Sequence, residues 1–193
     1  EKFDEAVNII KDYLNNYLIA ELDKTVDVNA LLTDLLDITL SKKDKAANAA
    51  ATGDAIRALR TFFEKTEEDT SIYFKDKKIW AYGEKYQECQ GKYPVIFLSF
   101  KDVKFNTWEE TFEAFNELFS KETARHTELI KNDKLSTADA KRVENLLSGN
   151  SSAVDLSNAL ADLSRMLHEY HGIAPIIIID EYDTPIQQGH VKG

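Results

Sequence analysis

A chain of 193 residues is long enough to bury a sizeable core in one domain, and 43% hydrophobic and 30% charged residues with only 7 Gly and 3 Pro describe a helix-rich soluble globule, excluding low-complexity and fibrous proteins. The formal net charge of -10 repels phosphate backbones, so nucleic-acid binding by this segment alone would need a local basic patch; the best candidate, Lys75-Asp76-Lys77-Lys78, is short and carries its own acid, as a solvated loop does. Cys89 is the single cysteine, which excludes an internal disulfide and makes a reducing interior the easier context.

No stretch approaches the roughly 18 apolar residues of a membrane helix, and Glu1-Lys2-Phe3-Asp4-Glu5 is not a signal peptide, so the expected location is cytoplasmic with no membrane partner. The chain opens without Met and ends at Val191-Lys192-Gly193, directly after its most informative motif, so it is expected to be a piece of something longer.

Phe3, Val7, Ile10, Leu14 and Tyr17 recur at steps of four and three and predict an amphipathic helix over about residues 3–22. Asp27 can cap a second helix with Val28, Leu31, Leu32 and Leu35 on one face. Leu35-Leu36-Asp37-Ile38-Thr39-Leu40 tolerates either strand or helix, because a buried central strand does not hold an unpaired carboxylate such as Asp37. The small-residue run 46–52 favours helix but specifies no packing. Asp54 caps a predicted helix carrying Ile56, Leu59, Phe62 and Phe63 and ending in the charged run 64–69. Ser71-Ile72-Tyr73-Phe74 and Lys78-Ile79-Trp80-Ala81-Tyr82 are expected to be loop or short strand forming a satellite core.

Tyr93 to Phe100 reads as a buried strand, with Pro94 confined to its first positions. Thr107-Trp108-Glu109-Glu110 is a capping-box pattern that opens a helix with Trp108, Phe112, Phe115 and Phe119 on its apolar face, continuing to Ile130. Ser136 to Asp139 and Ser152 to Asp155 repeat the cap-then-acid spacing and open helices that stop near Gly149 and Gly172. Strand, three helices, strand from 93 to 180 is an elaborated crossover, which predicts two parallel strands in one sheet.

Four isoleucines, Ile176 to Ile179, cannot alternate between core and solvent, so their strand is expected to be covered on both faces. Asp180 and Glu181 follow where it runs out, Asp183 adds a third acid, and Thr184-Pro185 turns the chain at once. The carboxyl ends of such strands are where open α/β sheets bind ligands, and an apolar strand ending in Asp-Glu is the metal-and-water half of a P-loop NTPase site. In that half the Asp holds Mg²⁺ through a water and the Glu polarises the attacking water. His168 and His171 are three apart, whereas zincins need four with an intervening Glu, so they are expected on a helix surface. Ser99 ends a strand, but Gly-x-Ser-x-Gly is absent.

Four segments in this order, Leu59-Arg60-Thr61-Phe62-Phe63-Glu64, Tyr93 to Val103, Thr107-Trp108-Glu109-Glu110 and Ile178 to Pro185, resemble the predicted AAA-type ATPases of anaerobic bacteria. Those are long multidomain proteins with an N-terminal P-loop ATPase region and a C-terminal nuclease-like domain. The resemblance implies a Gly-Lys-Thr phosphate loop before the Phe-Phe helix, and there this chain departs from the family. Asp23-Lys24-Thr25 can be laid on the family's Asp-Lys-Thr segment, and Lys45 on the loop lysine, which makes Lys45 the cofactor-binding candidate. Asp44 then replaces the glycine and Ala46 the Mg²⁺-binding Thr; the carboxylate repels phosphate and the lost hydroxyl removes a metal ligand. A second alignment uses Thr52-Gly53-Asp54, which keeps Gly and has no Lys.

The expected fold is α/β, a P-loop-NTPase-like parallel sheet with a helical insertion and a helical N-terminal region. Residues 1–52 form that helical region with the degenerate loop, and residues 53–193 a partial AAA-like ATPase core. The expected function is an ATPase domain with weak Mg-ATP binding and hydrolysis, with Asp180 as metal ligand, Glu181 as catalytic residue, Mg²⁺ and ATP as cofactors, and other protein segments or subunits as partners. The alternative is a degenerate, non-catalytic scaffold or interaction module derived from such a domain.

Overall fold

The computed structural model describes residues 56–81, 83–105 and 107–181. The helices expected over residues 3–22 and from Val28, the run 46–52, the caps at Asp27 and Asp54, and the loop at Lys45 lie outside the described residues. The chain divides into two compact units, one ending at Tyr93 and one beginning at Pro94.

In the first unit residues 56–63 are helical (α1), as the spacing of Ile56, Leu59, Phe62 and Phe63 predicts. Phe62 is buried with Phe74 and Ile79, and Leu59, Phe63, Trp80 and Tyr86 pack around them. Phe62 meets Phe74 edge to face at 5.1 Å, a favoured aromatic geometry, so the aromatic stretches do form a small core of their own. They do so as turns rather than strands: a 3₁₀ helix spans Thr70–Tyr73, and short helices α2 (Lys78–Ala81) and α3 (Glu84–Gln87) follow. The reason is local. Asp69 Oδ1 accepts the Ser71 N–H at 3.0 Å, giving the backbone a partner that an isolated strand would lack. Tyr93 forms a parallel bridge with Glu64, its N–H donating to Phe63 O at 3.0 Å and its carbonyl accepting from Lys65 N at 2.8 Å.

The second unit runs β1 (Val95–Ser99), α4 (Trp108–Arg125), α5 (Thr127–Ile130), α6 (Thr137–Ser148), α7 (Ala153–His171) and β2 (Ile176–Asp180). The two strands are parallel, in the register Val95 to Ile176 through Ser99 to Asp180. Ile176 N–H donates to Pro94 O and Phe100 N–H to Asp180 O, each at 2.9 Å, and these bonds close the ladder at both ends. Val95, Ile96 and Leu98 are buried, so β1 is covered on both faces. β2 is not what four isoleucines predict, for Ile177 is buried while Ile176, Ile178 and Ile179 are half-buried. Among the described elements α4 packs on β1, whereas the principal neighbour of β2 is β1 itself.

The helices start and stop where side chains satisfy their end groups. Ser152 and Asp155 form a reciprocal capping box, Ser136 Oγ accepts from Asp139 N, and Thr107 Oγ1 accepts from Glu110 N. Gly149 and Gly172 close α6 and α7 at φ 68 and 70, left-handed positions that favour glycine. Leu129, Val143, Leu146, Leu163, Met166 and Leu167 form the buried helical core.

Helix α4 departs from expectation in two further ways. Trp108 is 58% exposed, so the apolar face of α4 is carried by Phe112, Phe115 and buried Phe119. The helix does not run unbroken to Ile130; it breaks at His126, whose φ of -87 and ψ of 64 are non-helical.

Candidate functional site

β2 carries its chain of apolar side chains to a single acid. Asp180 is the last residue of the strand, half-buried, and sits across the ladder from Ser99, the last residue of β1. The Ser99 hydroxyl donates to Asp180 Oδ2 at 3.4 Å, and the Asp180 carbonyl accepts from Phe100 N–H at 2.9 Å. Side chain and backbone of Asp180 are therefore both tied to the end of β1. Glu181 comes next, exposed, with φ 51, the one described non-glycine residue at positive φ. That conformation costs a non-glycine residue about 1 kcal/mol and ends the strand abruptly, so Glu181 leaves the alternating in-and-out order of the ladder.

The structure thus brings Asp180 and Ser99 together at the carboxyl ends of two parallel strands and sets Glu181 beside them in the chain. Lys45 and Asp183 lie outside the described residues. In the sequence Ser99 read only as the end of a strand with no Gly-x-Ser-x-Gly around it, and nothing there paired it with Asp180.

A second polar cluster escaped the sequence reading. Glu122, 3% exposed, accepts the Phe97 N–H through Oε1 at 2.8 Å, and Arg125 donates to Val95 O at 3.1 Å. Even-numbered residues of β1 bond β2, so these odd-numbered groups lie on its other edge, where a carboxylate and a guanidinium each bond one of them. His126, 4% exposed, places Nε2 at 3.3 Å from Glu122 Oε1 and Nδ1 at 3.2 Å from Glu128 Oε1. Burial alone would lower the His126 pKa, but the hydrogen bonds and charges of Glu122 and Glu128 outweigh it and the net shift is upward. Burial likewise pushes the Glu128 carboxyl up, and the hydrogen bonds from His126, its own backbone and His171 overcome it and hold the group at about 2. The available signal was Glu122 and His126 at i,i+4 on one helix face.

His168 is exposed and His171 half-buried, its Nε2 at 3.3 Å from Glu128 Oε1. The pair is therefore split, one histidine in solvent and one in the cluster. Among the described residues no group of three or more His, Cys, Asp or Glu is placed to hold a metal ion by itself. An open depression of about 760 Å³ is lined by Lys131, Lys134, Ser136, Asp139, Glu169 and Tyr170 among others. Two of its acids are already engaged, Asp139 by Arg165 and Arg142, and Glu169 by Arg165. In the short stretch 75–78, Asp76 pairs with Lys77 at 3.0 Å, as the solvated-loop expectation has it. Among the described residues no helix is long and apolar enough to cross a membrane.

No curated protein and no solved structure matches the chain significantly. A family model described as Predicted AAA-ATPase matches residues 55–192, which covers all the described residues, the β1–β2 ladder and the Asp180-Glu181 end among them. On that match, over well more than half of its length, the chain belongs to the predicted AAA-ATPase family.

Proposed function

We propose that this chain is an AAA-like ATPase domain with weak, residual Mg-ATP binding and hydrolysis. The observation that supports it is the apolar strand β2 ending at Asp180, with Glu181 next in the chain, at the carboxyl edge of a parallel pair, where open α/β sheets take their ligands. The chemistry suits the ion the family implies: the Asp180 carboxylate, bonded by the Ser99 hydroxyl, is a hard oxygen donor, and Mg²⁺ is bound by one or two carboxylates while keeping several waters. When bound, Mg²⁺ would neutralise charge developing on the phosphates. Asp180 would hold it through water, Glu181 would orient and polarise the attacking water, and Lys45 would contact phosphate. The sheet would be P-loop-NTPase-like, with a helical region over residues 1–52 carrying the degenerate loop and the ATPase core over residues 53–193. Other protein segments or subunits would complete the assembly, in the cytoplasm.

Asp44 and Ala46 favour a second reading, a non-catalytic scaffold. A carboxylate repels phosphate from a loop that works through backbone N–H groups, and alanine offers Mg²⁺ no hydroxyl. Calorimetric titration of Mg-ATP separates the two. The ATPase proposal expects a weak site that Asp180→Ala abolishes and turnover that Glu181→Gln abolishes while binding persists. No heat of binding, together with no turnover, would leave the scaffold. Equal turnover in Glu181→Gln would reduce Glu181 to a solubilising acid.

A further inference from the structure

The β1–β2 ladder is apolar at four of its five rungs, and the fifth, Ser99 with Asp180, is polar on both strands. A serine at the end of a buried strand has two possible meanings. In the bland one its hydroxyl only satisfies itself against the nearest acceptor. In the other it fixes the orientation of a carboxylate that has work to do. Three features bear on the choice. The hydroxyl goes to Oδ2 of Asp180 at 3.4 Å, while the Asp180 backbone is separately held by Phe100 N–H, so the serine is not needed to secure the strand end. The strand terminates there, since Glu181 turns away at φ 51, so the acid stands at the mouth of the sheet rather than within it. Both residues are half-buried, which keeps the bond partly shielded from water while leaving the carboxylate accessible.

We propose that Ser99 is a positioning residue for the Asp180 carboxylate: by engaging Oδ2 it restricts rotation of the group and leaves Oδ1 for a hydrated divalent cation. This rests on Asp180 being the cation ligand in the function proposed above. Hydrogen bonds from outside the ligand set orient metal-binding carboxylates and commonly matter tenfold or more for affinity. At 3.4 Å the bond is long, so the effect expected of removing it is smaller, roughly threefold to tenfold.

The test uses Mn²⁺ as the probe, with ATP present, read as paramagnetic broadening of the Phe100 and Asp180 amide signals in the full chain. Asp180→Asn is expected to remove the broadening. Ser99→Ala is expected to shift its midpoint to roughly threefold to tenfold more Mn²⁺. Ser99→Thr and Ser99→Val differ by a hydroxyl in place of a methyl and share any steric strain, so the threonine variant should bind as the unmodified chain does and the valine variant as Ser99→Ala does. A purely structural serine would lower the melting temperature of the alanine variant and leave the midpoint alone. If Asp180→Asn loses the broadening while the valine and threonine variants bind alike, the role of Ser99 is overturned and the Asp180 site stands. If the unmodified chain shows no broadening at these amides, or Asp180→Asn keeps it, the cation site falls and the role of Ser99 with it.

Discussion

Replacing Glu128 by glutamine should reveal a pH-dependent joint between α4, α5 and α7. Glu128 Oε1 meets His126 Nδ1 at 3.2 Å and His171 Nε2 at 3.3 Å, and the fold holds its carboxyl at about 2 where 4.5 is usual. A fall of that size at about 1.4 kcal/mol per pH unit has a ceiling of roughly 3 kcal/mol. The side chain is 25% exposed, so solvent screening reduces the expected contribution to about 1–2 kcal/mol. Because the folded pKa is depressed, the contribution is complete above 4.5 and is lost as the pH falls towards about 2. His126 has the opposite sign. Its folded pKa is raised, so its contribution is complete below 6.5 and is lost as the pH rises through the folded value. Urea unfolding followed by circular dichroism should therefore show the unmodified chain most stable between about pH 4.5 and 6.5, with Glu128→Gln weaker there by about 1–2 kcal/mol. Most of the gap should close by about pH 2.5, and the curves should meet as the pH falls through about 2. Glutamine keeps an acceptor for the imidazole, so the gap reports the charge. A gap that is absent at pH 6, or unchanged down to pH 2.5, would refute the assignment.

Ile177→Ala should cost about 2–4 kcal/mol, since Ile177 is buried, and Ile178→Ala clearly less, since Ile178 is half-buried; equal losses in urea midpoint would contradict the observed burial. Ser152→Ala removes the reciprocal cap of α7 and should lower stability by about 1 kcal/mol, with Ser152→Asn recovering most of it. Gly149→Ala meets no atom within 4 Å, so any loss, expected at about 1 kcal/mol, comes from the left-handed φ of 68 alone, and an unchanged melting temperature would mean that α6 ends differently.

The elements of the second unit were legible because each is specified locally. Ser152 with Asp155, Ser136 with Asp139, and Gly149 and Gly172 carry their signals within a few residues, and both helices begin and end where those signals sit. The break at His126 was not legible. Nothing in the run from Glu122 to Ile130 forbids a helix; what interrupts it is a set of partners brought together by folding, with Glu122 turned to the edge of β1 and Glu128 turned to His171 on α7. Trp108 misled for a related reason, since helical spacing assigns a face but not how far along the helix that face stays covered.

The acid end of the site was legible for a different reason, that polarity and register constrain each other. Slipping β2 by one residue would set Asp180 against Leu98 or Phe100, both buried, and leave the Ser99 hydroxyl facing an isoleucine or the turn. Burying a carboxylate without a partner costs several kcal/mol, more than a rung of apolar packing returns, so the polar rung itself selects the register that the Pro94 and Phe100 hydrogen bonds then lock. An apolar strand that closes on one acid and a second that closes on one hydroxyl meet this constraint when the two polar residues face each other. A phosphate-binding half at Lys45, as proposed, would have no such internal check, because a loop that wraps an anion is specified by backbone groups and glycines, and on that alignment Asp44 and Ala46 would stand where the residues that mark such a loop belong.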